Sequence, residues 1–251
     1  VSDITKRVTL GGRPAGDGSY VLDFGMGPPV LTKPEDLQSM ETLALRLSAS
    51  YEWVSLQAAP TGRLLAVVNH EHLLHTWEIL AQSLRETSSP DDQITPTLLD
   101  FIGRQLQDPH NVLRSLRHDY LYQTLLGDFY DQRLGTAADA ARTRGFSQFF
   151  DDLPLWFSEQ VEVVPIAADE PMTLALKGTL DSQQTDVAAI RELMMQAVGA
   201  AADPALAPHF KYEATYVLDP DTGLPFRVEL TVYGRLAELY NKEYTLTLQR
   251  I

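Results

Sequence analysis

The sequence predicts an α+β fold: an antiparallel sheet built from N- and C-terminal segments, with a central helical layer packed on one face. Three observations lead there. A β-type run over Tyr51–Pro60 meets the turn Thr61-Gly62 and returns through Arg63–Val68. The same device recurs late in the chain, where Tyr212–Pro220 runs into Asp221-Thr222-Gly223 and leaves through Leu224–Tyr233. Pro, Thr and Gly between two β-type runs read as hairpins. The long stretch between the two hairpins carries apolar residues at helical spacing. The expectation is a single α+β domain over 1–251, with strands over 1–69, a helical middle over 70–145, and strands, one helix and a closing three-stranded meander over 146–251.

Ile4–Leu10 reads as a first strand and Gly11–Gly18 as a flexible hairpin loop before a second strand, Ser19–Phe24. The glycines invite comparison with a phosphate-cradling loop, but no Gly-Lys-Ser/Thr ending and no helix follow. Met40–Tyr51 puts Leu43, Leu45, Leu47 and Ala49 on one parity and predicts a strand. Leu64–Val68 is continuously apolar, as a buried strand would be.

Helical signals then take over. Leu73, Leu74, Trp77, Leu80, Ala81 and Leu84 form one stripe, with Asn69 as its N-cap. Thr95-Pro96 and Asp108-Pro109 each set a capping residue before proline, which suits helix starts. The second of these helices is expected to run to about Arg133 and stop at Gly135, with a short helix over Ala137–Arg144 after it. Strand alternation returns at Met172–Leu180, followed by a helix through Val187, Ile190 and Met194. In the closing meander Tyr212, Ala214 and Tyr216, then Val228, Leu230 and Val232, then Tyr244, Leu246 and Leu248 share one face, with Thr and charge opposite.

Composition narrows the function classes. Hydrophobic residues make up 44% and charged residues 22%, as in a globular protein and unlike a disordered one. A net charge of −14 repels phosphate backbones, so nucleic acid is not an expected partner. No run approaches the roughly 20 apolar residues of a membrane-spanning helix. The absence of cysteine removes disulfides, thiolate metal sites and cysteine nucleophiles together. No Gly-x-Ser-x-Gly elbow supports serine hydrolase chemistry. The start at Val1 without Met is read as that of a processed or a trimmed chain, and removal of a signal or lipid-anchor segment is one expectation it allows.

Two clusters are the candidate sites. Phe146, Phe149, Phe150, Trp156 and Phe157 concentrate aromatic surface in a hinge between the helical middle and the later strands. They are the candidate wall of an apolar ligand pocket; the reading their residue types favour is that they plug the space between helices and sheet. His70, His72 and His75 fall within six positions. On a helix capped by Asn69, His72 and His75 lie about 60° apart on the polar side and could hold zinc. A third ligand would have to come from elsewhere, such as Asp91, Asp92 or His118; otherwise the histidines are surface residues of a first helical turn. The zincin pattern fails because position 74 is Leu. Asp219-Pro220-Asp221-Thr222-Gly223 has the oxygen spacing of a calcium loop but lacks its later Glu, and a tight turn explains it. The acidic pairs Asp91/Asp92 and Asp151/Asp152 read as solvated loop acids.

The segment Tyr216-Val217-Leu218-Asp219-Pro220-Asp221-Thr222-Gly223-Leu224-Pro225-Phe226-Arg227-Val228-Glu229-Leu230 resembles the late hairpin of LolA-like bacterial envelope proteins. The resemblance implies a curved sheet and a hydrophobic groove that carries lipoproteins or lipids. It transfers no binding residue, and helices stand where that family would continue its strands. The layout of the first hairpin and the Trp77 helix is similar to that of secreted or lipid-anchored bacterial proteins. The functional expectation is a non-catalytic protein of the bacterial periplasm or cell surface that binds an apolar small molecule or a partner protein, with the cytoplasm as the other location. The alternatives are a metal-dependent hydrolase using His72 and His75, and a structural subunit of a larger assembly.

Overall fold

The computed structural model describes residues 4–31, 39–89, 92, 94–126, 142–150, 152–164, 171–199, 203, 205–219 and 223–250. Helices and antiparallel sheets are both present, and the chain divides into two compact units. The first unit is Val1–Asp119 with Leu126–Asp131, the second Tyr120–Leu125 with Gln132–Ile251.

In the first unit β1 (Ile4–Thr5) pairs with β4 (Val30–Leu31). A separate four-stranded sheet has the order β2 (Val8–Pro14), β3 (Tyr20–Met26), β5 (Trp53–Ala58), β6 (Leu64–Val67). The expected Gly11–Gly18 loop is shorter than its composition implies. Gly11 and Gly12 belong to β2 and pair with Asp23 and Leu22. The turn closes at Gly18, whose φ of 83° suits glycine. Phe24, Val54, Leu56, Ala58 and Leu64 form the buried side of the sheet.

Met40–Tyr51 is not a strand. It folds as α1 (Ser39–Leu47) and a 3-10 turn (Ser48–Tyr51). Leu43 and Leu47 are also four apart, so the parity that suggested a strand equally makes a helical stripe, and Met, Glu, Leu, Ala and Arg favour the helix.

The helical middle comprises α2 (His70–Thr87), α3 (Ile94–Gln107), α4 (Pro109–His118) and α5 (Tyr120–Leu125). In the first unit α2 packs on α3, and α4 on β6. Asn69 precedes α2 but makes no capping hydrogen bond. It accepts instead from the Ser55 amide at 2.8 Å and donates to the Trp53 carbonyl at 2.9 Å, tying the helix start to β5. Asp92, rather than Thr95, holds the start of α3 by accepting from the Ile94 and Thr95 amides. Asp108 caps α4 as expected, accepting from His110 N at 2.9 Å. That helix does not run on to Arg133. Asp119 takes extended backbone (ψ 131°) and separates α4 from α5. The expected stop at Gly135 lies outside the described residues, as does most of the expected Ala137–Arg144 helix. Its last residues, Arg142–Arg144, begin a strand.

The second unit is built on one six-stranded antiparallel sheet. It contains β7 (Arg142–Phe150), β8 (Leu153–Val164), β9 (Met172–Leu180), β10 (His209–Leu218), β11 (Pro225–Leu236) and β12 (Tyr240–Gln249), in spatial order β12-β11-β10-β9-β8-β7. Chain neighbours are sheet neighbours throughout, with α6 (Val187–Val198) inserted between β9 and β10. Asp186 caps α6 by accepting from Ala189 N at 2.9 Å, and the helix ends at Gly199 with φ 80°. The aromatic hinge is thus a hairpin of two strands. The sheets expected to merge from the two chain ends are distinct: among the described residues no N-terminal strand joins this one.

Candidate functional site

The alternation of the second unit puts one row of side chains on its inner face. Tyr212 stands opposite Gly178 and Val232, Ala214 opposite Leu176 and Leu230, Tyr216 opposite Leu174 and Val228. Phe146, Phe149, Phe150 and Phe157 are on this interior side and at most 2% exposed. Their rings pack on one another and on their neighbours. Phe146 meets Tyr212 with centroids 5.1 Å apart and Phe157 at 5.9 Å, both edge to face. Phe149 meets Phe150 at 4.9 Å. Edge-to-face pairs add about 0.5–1.5 kcal/mol to the burial of each ring.

Three glycines make room for these rings. A Cβ at Gly234 would stand 2.6 Å from Phe150 Cζ, and one at Gly178 2.6 Å from Tyr212 Cδ1. Trp156 lies over Gly145, its cross-strand partner. In a flat sheet β7 and β11 would be about 19 Å apart. Contact between Phe150 on β7 and Gly234 on β11 therefore requires the sheet to bend around its interior. Two extra residues of β7 between Phe146 and Phe150, where its register with β8 shifts, provide a local bend.

A polar cluster sits within this apolar interior. The Glu159 side chain is 1% exposed and Arg144 8%. Glu159 Oε1 accepts from Tyr212 Oη at 2.8 Å and lies 3.8 Å from Arg144 Nη1, while Oε2 lies 3.5 Å from Arg142 Nε. Arg144 Nη2 reaches Thr124 Oγ1 of α5 at 3.5 Å, and the guanidinium lies over the rings of Phe146 and Tyr212 at 5.8 and 5.7 Å. Burial by itself works against the charge on Arg144. Tyr212, Tyr216 and Glu159 outweigh it and hold the guanidinium above its ordinary range. Burial pushes the Tyr212 phenol well above the usual tyrosine value, against the nearby Arg144 charge. It raises Tyr216 in the same way. Both tyrosines therefore stay neutral, and Tyr212 donates to the Glu159 carboxylate.

The sequence reading missed this cluster. Its signal was a charged residue on an apolar parity: Glu159 falls in the row Leu155, Phe157, Val161, Val163, and Arg142 and Arg144 fall in the row of Phe146. Of the expected ligand wall, the four phenylalanines meet in the interior. Trp156, on the opposite parity of β8, is half-buried outside it.

The histidines belong to the first unit. His72 is exposed and meets the Trp53 ring edge to face at 5.2 Å, and His75 is exposed on the next turn. His70 Nε2 lies 2.7 Å from the Leu106 carbonyl, which engages it in helix packing. Among the described residues no three His, Cys, Asp or Glu side chains are grouped to hold a metal ion. Asp91 and Asp151 lie outside the described residues, as do Pro220, Asp221 and Thr222 of the late turn. Asp219 is bound to Arg250 Nη1 at 2.7 Å.

The first unit also holds a cleft of about 890 Å3 between α2 and α3. Trp77, Ala81 and Leu99, each at most 5% exposed, form its floor. Gly103 lets α3 approach the Trp77 indole; a Cβ there would stand 3.1 Å from Nε1. Arg85 and Asp100 close the loop end with a 2.8 Å ion pair. Glu78, Gln82, Arg104 and Gln107 line the remainder. The chain matches no protein-family model, and comparison with curated proteins and with solved structures returns no match.

Proposed function

We propose that this chain is a non-catalytic binding protein of the bacterial envelope that receives a helical segment of a partner protein in the α2–α3 cleft. The observation that carries the reading is the cleft's construction: an apolar floor of Trp77, Ala81 and Leu99 under walls bearing both signs of charge. A buried aromatic within a polar rim is how protein interfaces are built, and a helix with an apolar stripe and mixed flanking charges complements it. An apolar small molecule suits it less, because six of the eleven lining residues are charged or amide-bearing. The same helical pair shows Ile94 and Phe101 65% and 53% exposed, surface that a bound partner could cover. The buried Glu159–Arg144 cluster supports a non-catalytic reading, since its charged groups face one another in a closed interior. The envelope assignment rests on the acidic, cysteine-free composition and on the late hairpin's resemblance.

The test is selection of helical peptides from a displayed library on the whole chain, repeated with Gln82→Arg and Arg104→Glu, both at exposed positions. Peptides that bind the parent and lose at least about tenfold on the variants, a change of about 1.4 kcal/mol, support the cleft. Equal binding to parent and variants overturns it. A thermal shift with fatty acids or detergents, absent in the variants, would move the reading to an apolar ligand.

A further inference from the structure

Of the side chains that floor the α2–α3 cleft, Trp77, Ala81 and Leu99, only Trp77 carries a polar atom, its indole Nε1. Trp77 is 5% exposed, and among the described residues Nε1 has no hydrogen-bond partner. Unlike the enclosed Arg144 Nε, it is not sealed from the cleft. Gly103 of α3 keeps it open. A Cβ on Gly103 would stand 3.1 Å from Nε1, and the only other heavy atom outside α3 within 4 Å of that point is Cε2 of the same ring, at 3.9 Å. Any other residue at 103 would set a carbon against the nitrogen, whereas an oxygen passing over glycine can come within about 3 Å of it. The rims at this level are also uncommitted. Glu78 follows Trp77 on α2 and Arg104 follows Gly103 on α3; both line the cleft, and among the described residues neither holds an ion pair or a side-chain hydrogen bond. A ligand that fills the cleft displaces water from Nε1 and has to supply the acceptor itself.

We propose that Trp77 Nε1 is the specificity donor of the cleft, and that the incoming helix presents the carboxamide of an Asn or Gln side chain to it. The helix as source rests on the function proposed above; the donor is tested apart from it. Backbone carbonyls of a helix are engaged within it up to the last turn, so the acceptor comes from a side chain. An aliphatic tip would leave the N–H buried without a partner, and an ammonium carries no acceptor. A carboxylate suits Trp77 and Arg104, but it meets Glu78 and a chain of net charge −14. The four charged lining residues cancel, Glu78 and Asp100 against Arg85 and Arg104, so the cleft favours a neutral group. A carboxamide meets these demands together. Its oxygen has lone pairs for the indole and for Arg104, and its NH2 donates on the side of Glu78.

Two measurements on the whole chain test this. In the first, the indole N–H resonances are followed by NMR as propionamide is added. The sequence holds three tryptophans, and the signal lost in Trp77→Phe identifies Trp77. That signal should move downfield and saturate with propionamide, move less with propionate, and stay still in Gly103→Ala, whose methyl group covers the nitrogen. Trp53 and Trp156 are the internal controls. Alanine suits a helix interior better than glycine, so Gly103→Ala should keep the Tm of the parent. Equal shifts at all three indoles, a larger shift with propionate, or an unaltered response in Gly103→Ala overturns the proposal. In the second, helical peptides selected on the parent should share an Asn or Gln whose replacement by Leu weakens binding at least about tenfold. Peptides that lose affinity on Gln82→Arg and Arg104→Glu yet tolerate that Leu leave the helix-binding cleft standing and overturn the donor. A saturating propionamide shift with no peptide selected supports the donor and overturns the helix as the source of the carboxamide. If Gly103→Ala lowers Tm, the propionate comparison and the Leu-substituted peptide, which need no such variant, decide.

Discussion

Tyr212 donates its phenolic hydrogen to Glu159 at 2.8 Å, across the strand that separates them, in an interior closed to solvent on both sides of the bond. The pairing joins β10 to β8 over β9, so it reports on how the sheet closes around its contents. Removing either partner leaves the other buried without its match. Tyr212→Phe should cost about 1–3 kcal/mol and Glu159→Gln, which strands Arg144, about 3–5 kcal/mol. Urea unfolding followed by circular dichroism measures both. Losses below the experimental scatter would mean that water reaches the cluster.

The same tyrosines set an alkaline limit on stability. The folded pKa values of Tyr212 and Tyr216 are raised by burial, and that of Tyr51 is raised as well. Above about pH 10 the unfolded chain loses phenolic protons that the folded chain keeps. Unfolding free energy should therefore hold below pH 10 and fall above it, by up to about 1.4 kcal/mol per pH unit for each such tyrosine. Tyr212→Phe should make that fall shallower without abolishing it, since Tyr216 and Tyr51 remain.

Gly234 and Phe150 should behave as a coupled pair. A methyl group at 234 would meet the Phe150 ring and, at 3.1 Å, Met194 Cε of α6. Gly234→Ala should destabilise by about 1–3 kcal/mol. Phe150→Leu shortens the ring side and should recover part of that loss. A double-mutant cycle showing simple additivity would place the two side chains out of contact.

Asn69 should act through β5 and not through the helix it precedes. Asn69→Asp keeps the oxygen that accepts from Ser55 but loses the donor to Trp53. Asn69→Ala loses both, and Asn69→Ser supplies a capping hydroxyl without the reach. If Asn69 is a splint, stability should order Asn above Asp above Ala, with Ser near Ala. Thermal unfolding distinguishes this from a cap, for which Ser and Asp would match Asn.

Zinc should not stabilise the chain. His72 and His75 are two possible ligands on an exposed helix face, and His70 is engaged with Leu106. Thermal unfolding with added zinc should match the metal-free curve. A rise in Tm that disappears in His72→Ala with His75→Ala would restore a metal centre.

How much was legible can be read from particular residues. The closing meander was legible in its alternation because each strand places Tyr212, Val228 or Leu246 on the same parity, and the observed register pairs them as that parity requires. The Asp108-Pro109 helix start was legible because the cap is local. The α1 leucines were ambiguous, as residues two and four apart satisfy both periods. The candidate ligand wall was legible as an aromatic concentration but not as a closed interior, since that depends on Gly178 and Gly234 from strands far along the chain. The cleft was illegible: its floor and walls come from two helices whose side-by-side packing no local pattern states.

The sequence by itself determined which face of each strand and helix is apolar, where caps and turns end them, and that no thiol chemistry is open to the chain. Those properties depend on neighbours a few residues apart. Only the tertiary structure decided that the described strands of the two chain ends form separate sheets and that Glu159 lies beside Arg144 and Tyr212. A ladder partner is chosen by the free energy of burying a whole face, and alternation along one strand does not name the strand beside it.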